Sequence, residues 1–165
     1  MEVKRCLLVG LITVSCCVFV VDSSQETLKK ITSSFMKVLE VCKEELGISE
    51  NLLAGLYHFW KEEYELVSKE VGCAILCMSH KLNLLDESGK LHHGNAQEFA
   101  EQHGAADSTA KQLVSMIHSC EENQEALEDQ CLRALEVAKC FRTRIHELDW
   151  TPKMDVLVTE VLTDI

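Results

Sequence analysis

Gly72-Cys73-Ala74-Ile75-Leu76-Cys77-Met78-Ser79 is the stretch on which the fold turns. Its two cysteines stand four residues apart. On a helix that spacing puts them on one face, one turn apart, where each can tie the helix to a different neighbour. They cannot easily bond each other across a single turn. Val71, Ile75, Leu76, Met78 and Leu82 continue an apolar helical pattern around them, so a helix is expected over residues 69–83.

Outward from this stretch the same period recurs. Leu28, Ile31, Phe35, Val38, Leu39 and Cys42 predict a helix over 27–46, ended by Gly47. Leu52, Leu56, Phe59, Trp60, Tyr64 and Val67 predict one over 51–68. Asp86-Glu87-Ser88-Gly89 reads as a turn. A short helix is expected over 95–104, then one capped by Asp107 that runs through Cys120, then one over 129–148. After the only proline, Pro152, residues 154–165 form a last amphipathic segment. Period-two runs of β-branched and aromatic residues are absent, as are repeats and linkers. The expected fold is all-α: a compact bundle of six to seven short helices in a single domain, residues 24–165.

Residues 1–23 are set apart. Lys4 and Arg5 precede an apolar run from Cys6 to Val21, and Asp22, Ser23 and Ser24 follow. That order reads as a secretory signal peptide cleaved near Ser23–Ser24. The run is shorter than the ~20 residues needed to span a bilayer, which argues against an anchor. Six cysteines then remain, Cys42, Cys73, Cys77, Cys120, Cys131 and Cys140. An even number in a secreted chain reads as three disulfides, and counting alone leaves many pairings open. The net charge of −11 argues against nucleic acid, whose phosphates call for a basic surface.

Catalysis and metal binding find little support. Ser79 and His80 are neighbours, but adjacent residues on a helix point apart, and no G-x-S-x-G elbow occurs. No paired C-x2–4-C zinc motif is present, and residues 86–90 lack the alternating acids of a calcium loop. No catalytic residue, metal or cofactor is therefore expected. Phe35, Phe59, Trp60, Phe99, Phe141 and Trp150, with Met36, Met78 and Met116 between them, point instead to binding. Short helices clamped by three bridges tolerate a hollow apolar interior with one or two polar groups.

The cysteine intervals, C-x30-C-x3-C-x42-C-x10-C-x8-C, resemble those of the insect odorant-binding proteins. Phe59-Trp60-Lys61-Glu62, the Gly72–Ser79 stretch, Leu91-His92-His93-Gly94-Asn95-Ala96-Gln97-Glu98-Phe99-Ala100, His103-Gly104-Ala105 and Trp150-Thr151-Pro152 resemble the moth pheromone-binding branch. The resemblance covers the whole of 24–165. It implies the pairing Cys42–Cys77, Cys73–Cys131 and Cys120–Cys140. It also implies a central cavity for a long-chain volatile alcohol, acetate or aldehyde. Phe35, Phe59, Trp60, Ile75, Ser79, Phe99, Ile117 and Phe141 match the cavity lining, with Ser79 at the ligand's polar head.

His92, His93 and His118 match the family's positions near the cavity mouth and base, and mark a pH switch. Leu76 stands where some relatives carry a polar residue, which leaves Ser79 as the main polar anchor. The partners implied are a small hydrophobic volatile ligand and, at release, an odorant receptor or a membrane surface. The chain is expected to be extracellular, in the sensillum lymph, as a monomer or weak homodimer. Two alternatives stand beside this reading. One is a general odorant-binding protein for plant volatiles. The other is a secreted helical module that binds a protein through an apolar groove.

Overall fold

The computed structural model describes the backbone of residues 2–153, and the side chains of those residues apart from 2–22, 50, 52 and 53. Six α-helices run through them: α1 (Glu2–Leu46), α2 (Glu50–Tyr57), α3 (Lys69–Lys81), α4 (His93–Gln102), α5 (Asp107–Glu122) and α6 (Gln130–Glu147). No strand occurs among the described residues, only an isolated antiparallel bridge between Leu85 and Leu91. The all-α fold is as the periodicity indicates.

Three elements differ from the expectation. α1 begins at Glu2 and continues past residue 27 without a break, because no proline or glycine interrupts residues 11–46. It is therefore not short. α2 ends at Tyr57 and not at Ser68. Trp60 and Leu66 are both buried, and six residues apart on a continuous helix they would face different sides. The chain leaves helical geometry so that both enter the core while Glu62, Glu63 and Glu65 stay in water. Finally, Asp107 does not cap α5. Ala106 takes the cap position, and Asp107 lies in the first turn, where its carboxylate favours the helix dipole and pairs with Lys111 at 2.8 Å. The expected segment 154–165 lies outside the described residues.

α3 is the hub. It packs most extensively on α6 and next on α1. Cys42–Cys77 ties α3 to α1, Cys73–Cys131 ties it to α6, and Cys120–Cys140 ties α5 to α6. Asp129 caps α6 by accepting the Leu132 amide at 3.0 Å, and also pairs with Lys69 at the start of α3. The close crossing of α3 and α6 depends on Gly72. A Cβ there would lie 2.0 Å from the backbone oxygen of Cys131.

The buried residues form three clusters. One joins α1, α2, α3 and α6 around Leu39, Leu56, Ala74 and Leu135. The second gathers Leu28, Trp60, Leu113, Ile145 and Trp150. The third holds Leu84 and Leu91 of the loop after α3 against Ala96 and Val114. A domain of this size normally has one contiguous core. Here the core is divided around a central space.

Gly72→Ala is expected to force α3 and α6 apart beside the Cys73–Cys131 bridge. The cost should be about 1–3 kcal/mol, as for overpacking. Urea unfolding of the oxidised protein measures it, and an unchanged midpoint would show that the two helices are not in such close contact.

Candidate functional site

The three clusters surround a cavity of about 230 Å³. α1 supplies Leu28, Ile31, Thr32, Phe35 and Met36, spaced by three and four along one face. The irregular segment after α2 supplies Phe59 and Trp60, and α3 supplies Ile75, Leu76, Met78 and Ser79. The loop after α3 adds Leu84, Leu85, Gly89 and Leu91. Phe99, Ile117 and Phe141 complete the wall from α4, α5 and α6. All eight residues expected to line a cavity thus stand on its surface. The aromatic rings meet edge to face, with Phe59 and Trp60 centroids 4.8 Å apart and those of Phe35 and Phe99 6.3 Å apart.

Few polar groups reach this space, and most are already engaged. Thr32 Oγ1 donates to the Leu28 carbonyl at 2.7 Å and accepts from Trp60 Nε1 at 2.9 Å. Ser79 Oγ donates to the Ile75 carbonyl at 2.9 Å, so its lone pairs face the cavity as acceptors. Glu121, Gln130 and Arg133 form a second polar end that sequence reasoning missed. The signal for Arg133 was present: it lies four and eight residues before Val137 and Phe141, on the same face of α6.

The loop over residues 84–91 closes one side. Its ends are joined by the Asp86 amide donating to the Lys90 carbonyl at 2.8 Å and the His92 amide to that of Leu84 at 2.7 Å. Glu121 holds it down from α5, because Oε1 accepts the Leu91 amide at 2.7 Å. Lys90 pairs with Glu125 at 3.0 Å. Inside the turn, Asp86 Oδ1 accepts from the hydroxyl and amide of Ser88 and from the Lys90 amide. Those bonds, first the one from the Ser88 hydroxyl, hold the Asp86 carboxyl below its ordinary range.

The three histidines singled out from the sequence do not act alike. His93 and His118 stack at 5.5 Å, with His93 Nδ1 3.4 Å from His118 Nε2. His118 Nδ1 lies 3.1 Å from Glu121 Oε2, a contact that in the neutral ring places the proton on Nδ1 and leaves Nε2 to accept from His93. His92 stands apart and caps α4, its Nδ1 accepting the Asn95 amide at 3.2 Å. A fourth histidine, His103, takes the hydroxyl of Ser34 at 2.6 Å and meets the Phe99 carbonyl at 2.7 Å, which fastens α4 to α1. Among the residues whose side chains are described, no group of three metal-ligating side chains occurs and no helix is long and apolar enough to cross a membrane.

A helical cage with an apolar cavity, three bridges and a C-x3-C helix at its hub matches known proteins. The profile described as the PBP/GOBP family fits residues 24–144. The chain belongs to the PBP/GOBP family. It is 41% identical over 145 residues to Pheromone-binding protein 2 of Epiphyas postvittana, covering 88% of each chain. It is 37% identical over 137 residues to General odorant-binding protein 1 of Antheraea pernyi, covering 83% of this chain and 82% of the other. The crystal structure of Epiphyas postvittana Pheromone Binding Protein 3 superposes with a TM-score of 0.65 and 57% identity, over 70% of this chain and 99% of that one. As a PBP/GOBP member the chain is a carrier for hydrophobic odorants, and not an enzyme.

The depressed Asp86 pKa sets a sign for the loop. Its contribution is full above the ordinary carboxylate range and is lost only as pH falls through the lower, folded value. Protection of the Ser88 and Lys90 amides from hydrogen exchange, corrected for intrinsic rates, should therefore persist from neutral pH to about pH 5. Loss of that protection above pH 5, with the Leu91 amide still protected, would show that Asp86 does not hold the turn.

Proposed function

We propose that the chain is a secreted carrier that takes one long-chain volatile alcohol, acetate or aldehyde into this cavity and gives it up on acidification. The observation that carries the reading is the cavity itself: apolar on nearly every side, bounded by all six helices or the loops between them, with isolated polar groups at its edges. Each methylene moved from water contributes about 0.8 kcal/mol. A chain of a dozen would bring roughly 10 kcal/mol before association costs of several kcal/mol. Micromolar or somewhat tighter binding follows with a single polar contact.

Secretion rests on the signal-like residues 1–23, whose basic start, apolar run and small polar end support cleavage near Ser23–Ser24. The sensillum lymph as its setting, delivery to a receptor or membrane surface, and a monomer or weak homodimer belong to the same proposal. Identity to two pheromone-binding proteins supports a pheromone ligand, and the 37% match to a general odorant-binding protein keeps plant volatiles as the second reading.

Ser79 favours an alcohol. With its proton given to Ile75, the hydroxyl accepts from an alcohol without rearrangement, whereas an ester or aldehyde oxygen requires it to turn. Ser79→Ala should weaken an alcohol by about 0.5–1.5 kcal/mol and leave a hydrocarbon of equal length almost unchanged. Equal losses, measured by calorimetry, would mean that Ser79 supports packing alone.

Acid release rests on the rim and the tail. Histidine changes charge between about pH 5 and 8. Protonating both His93 and His118 removes the acceptor between them and sets two like charges face to face beside the Glu121 latch on Leu91. The sequence of the tail is amphipathic: as a helix it would carry Met154, Leu157, Val158, Val161, Leu162 and Ile165 on one face and Asp155, Glu160 and Asp164 off it. Protonation lowers the cost of burying that tail, which then competes for the cavity. Affinity should fall between neutral pH and about pH 5, and a chain ending at Pro152 should retain more of it. The same loss over the same range in the truncated chain would remove the tail from the mechanism.

A further inference from the structure

Phe59 and Trp60, which form one wall of the cavity, belong to no helix. They lie in the segment between α2 and α3, and a wall made of loop is ordinarily the part of a cavity least fixed in shape. Here its backbone is held from outside. Arg142 of α6 donates to the Phe59 carbonyl at 3.2 Å and to the Tyr64 carbonyl at 2.9 Å. Its guanidinium stands 6.0 Å from the centre of the Phe59 ring. One turn further along α6, His146 Nε2 meets the Trp60 carbonyl at 2.9 Å. Neither Arg142 nor His146 lines the cavity.

We infer that Arg142, seconded by His146, is a specificity-determining positioning residue: by gripping the backbone of 59–64 it fixes where the Phe59 ring ends the cavity, and so which chain length and curvature the cavity accepts. The inference rests on the carrier function proposed above. Three features support it. The two carbonyls are five residues apart and lie outside any helix, so a single planar donor group that spans both sets the bend of the segment. The side chain of Trp60 is fixed separately, by Thr32 on α1, and its ring rests against Phe141, the neighbour of Arg142. Movement of the Phe59 backbone would thus shift one ring of the wall while the other stays. Burial disfavours the charged guanidinium, opposed by the charge of Glu62, so the cation is kept there at some cost for these carbonyls.

The test uses the oxidised chain from Ser24 onward in a Trp150→Phe background, where Trp60 is the only tryptophan. Displacement of an apolar fluorescent dye by straight-chain alcohols of graded length gives the selectivity. Wild type should discriminate neighbouring homologues near its optimum by roughly tenfold. Arg142→Met should reduce that to under about threefold, with a red-shifted, more quenchable Trp60 emission and unchanged helicity, and Arg142→Lys should restore part of the preference. An unchanged preference would overturn the inference. So would an equal loss at every length, or a failure of both variants to fold, since either shows a purely structural role. Displacement by no alcohol in wild type is a different result, and it would count against the carrier function itself.

Discussion

Two covalent bonds from one face of α3 govern the rest of the structure. Cys77 reaches back to α1 and Cys73 reaches forward to the start of α6, so the hub is fixed between them, and Cys120–Cys140 fixes α5 to the same α6. An unfilled interior lowers the stability of a helical bundle in proportion to its volume. At about 24 cal/mol per Å³, a void of about 230 Å³ costs on the order of 5 kcal/mol. Three bridges at roughly 2–4 kcal/mol each offset this. The divided core follows from that balance. Apolar residues pack into three clusters around the space, and the bridges supply what a continuous core would have supplied.

The boundary of the cavity is uneven in kind. α1, α3, α5 and α6 hold their backbone by their own helical hydrogen bonds, while the loop over 84–91 and the segment after α2 are held by side chains reaching to backbone groups. The first is held by Glu121 and Lys90, next to the stacked rings of His93 and His118. The second is held by a guanidinium that stays charged through the physiological range and by His146. Its Nε2 donates to the Trp60 carbonyl, and added protonation would not remove that donor. Both segments thus take their shape from side chains that reach backbone groups across the fold.

Much of this was legible in the sequence. Spacing by three and four located the helices, and the paired cysteines of α3 marked the hub. Matching to a known cysteine ladder placed eight residues around a cavity where the structure also puts them. What escaped notice lay where tertiary packing overrides a local pattern. Residues 58–68 carry apolar positions at near-helical spacing, yet burying Trp60 and Leu66 together breaks the helix. Asp107 resembles a cap, but its pairing with Lys111 and its favourable place in the helix dipole are satisfied one residue inside the helix. Glu121 and Arg133 look like solvated charges by type, and only their register with Ile117 and Phe141 hints that they reach the interior.

The central claim is that the bridged cage encloses one apolar chain. Native mass spectrometry of the oxidised protein at neutral pH, against alcohols, acetates and aldehydes of graded length, tests it most directly. A complex of one ligand per chain should form with the best-fitting lengths, and should be lost when the three bridges are reduced. An unliganded protein across the whole panel, or a complex that survives reduction unchanged, would contradict it.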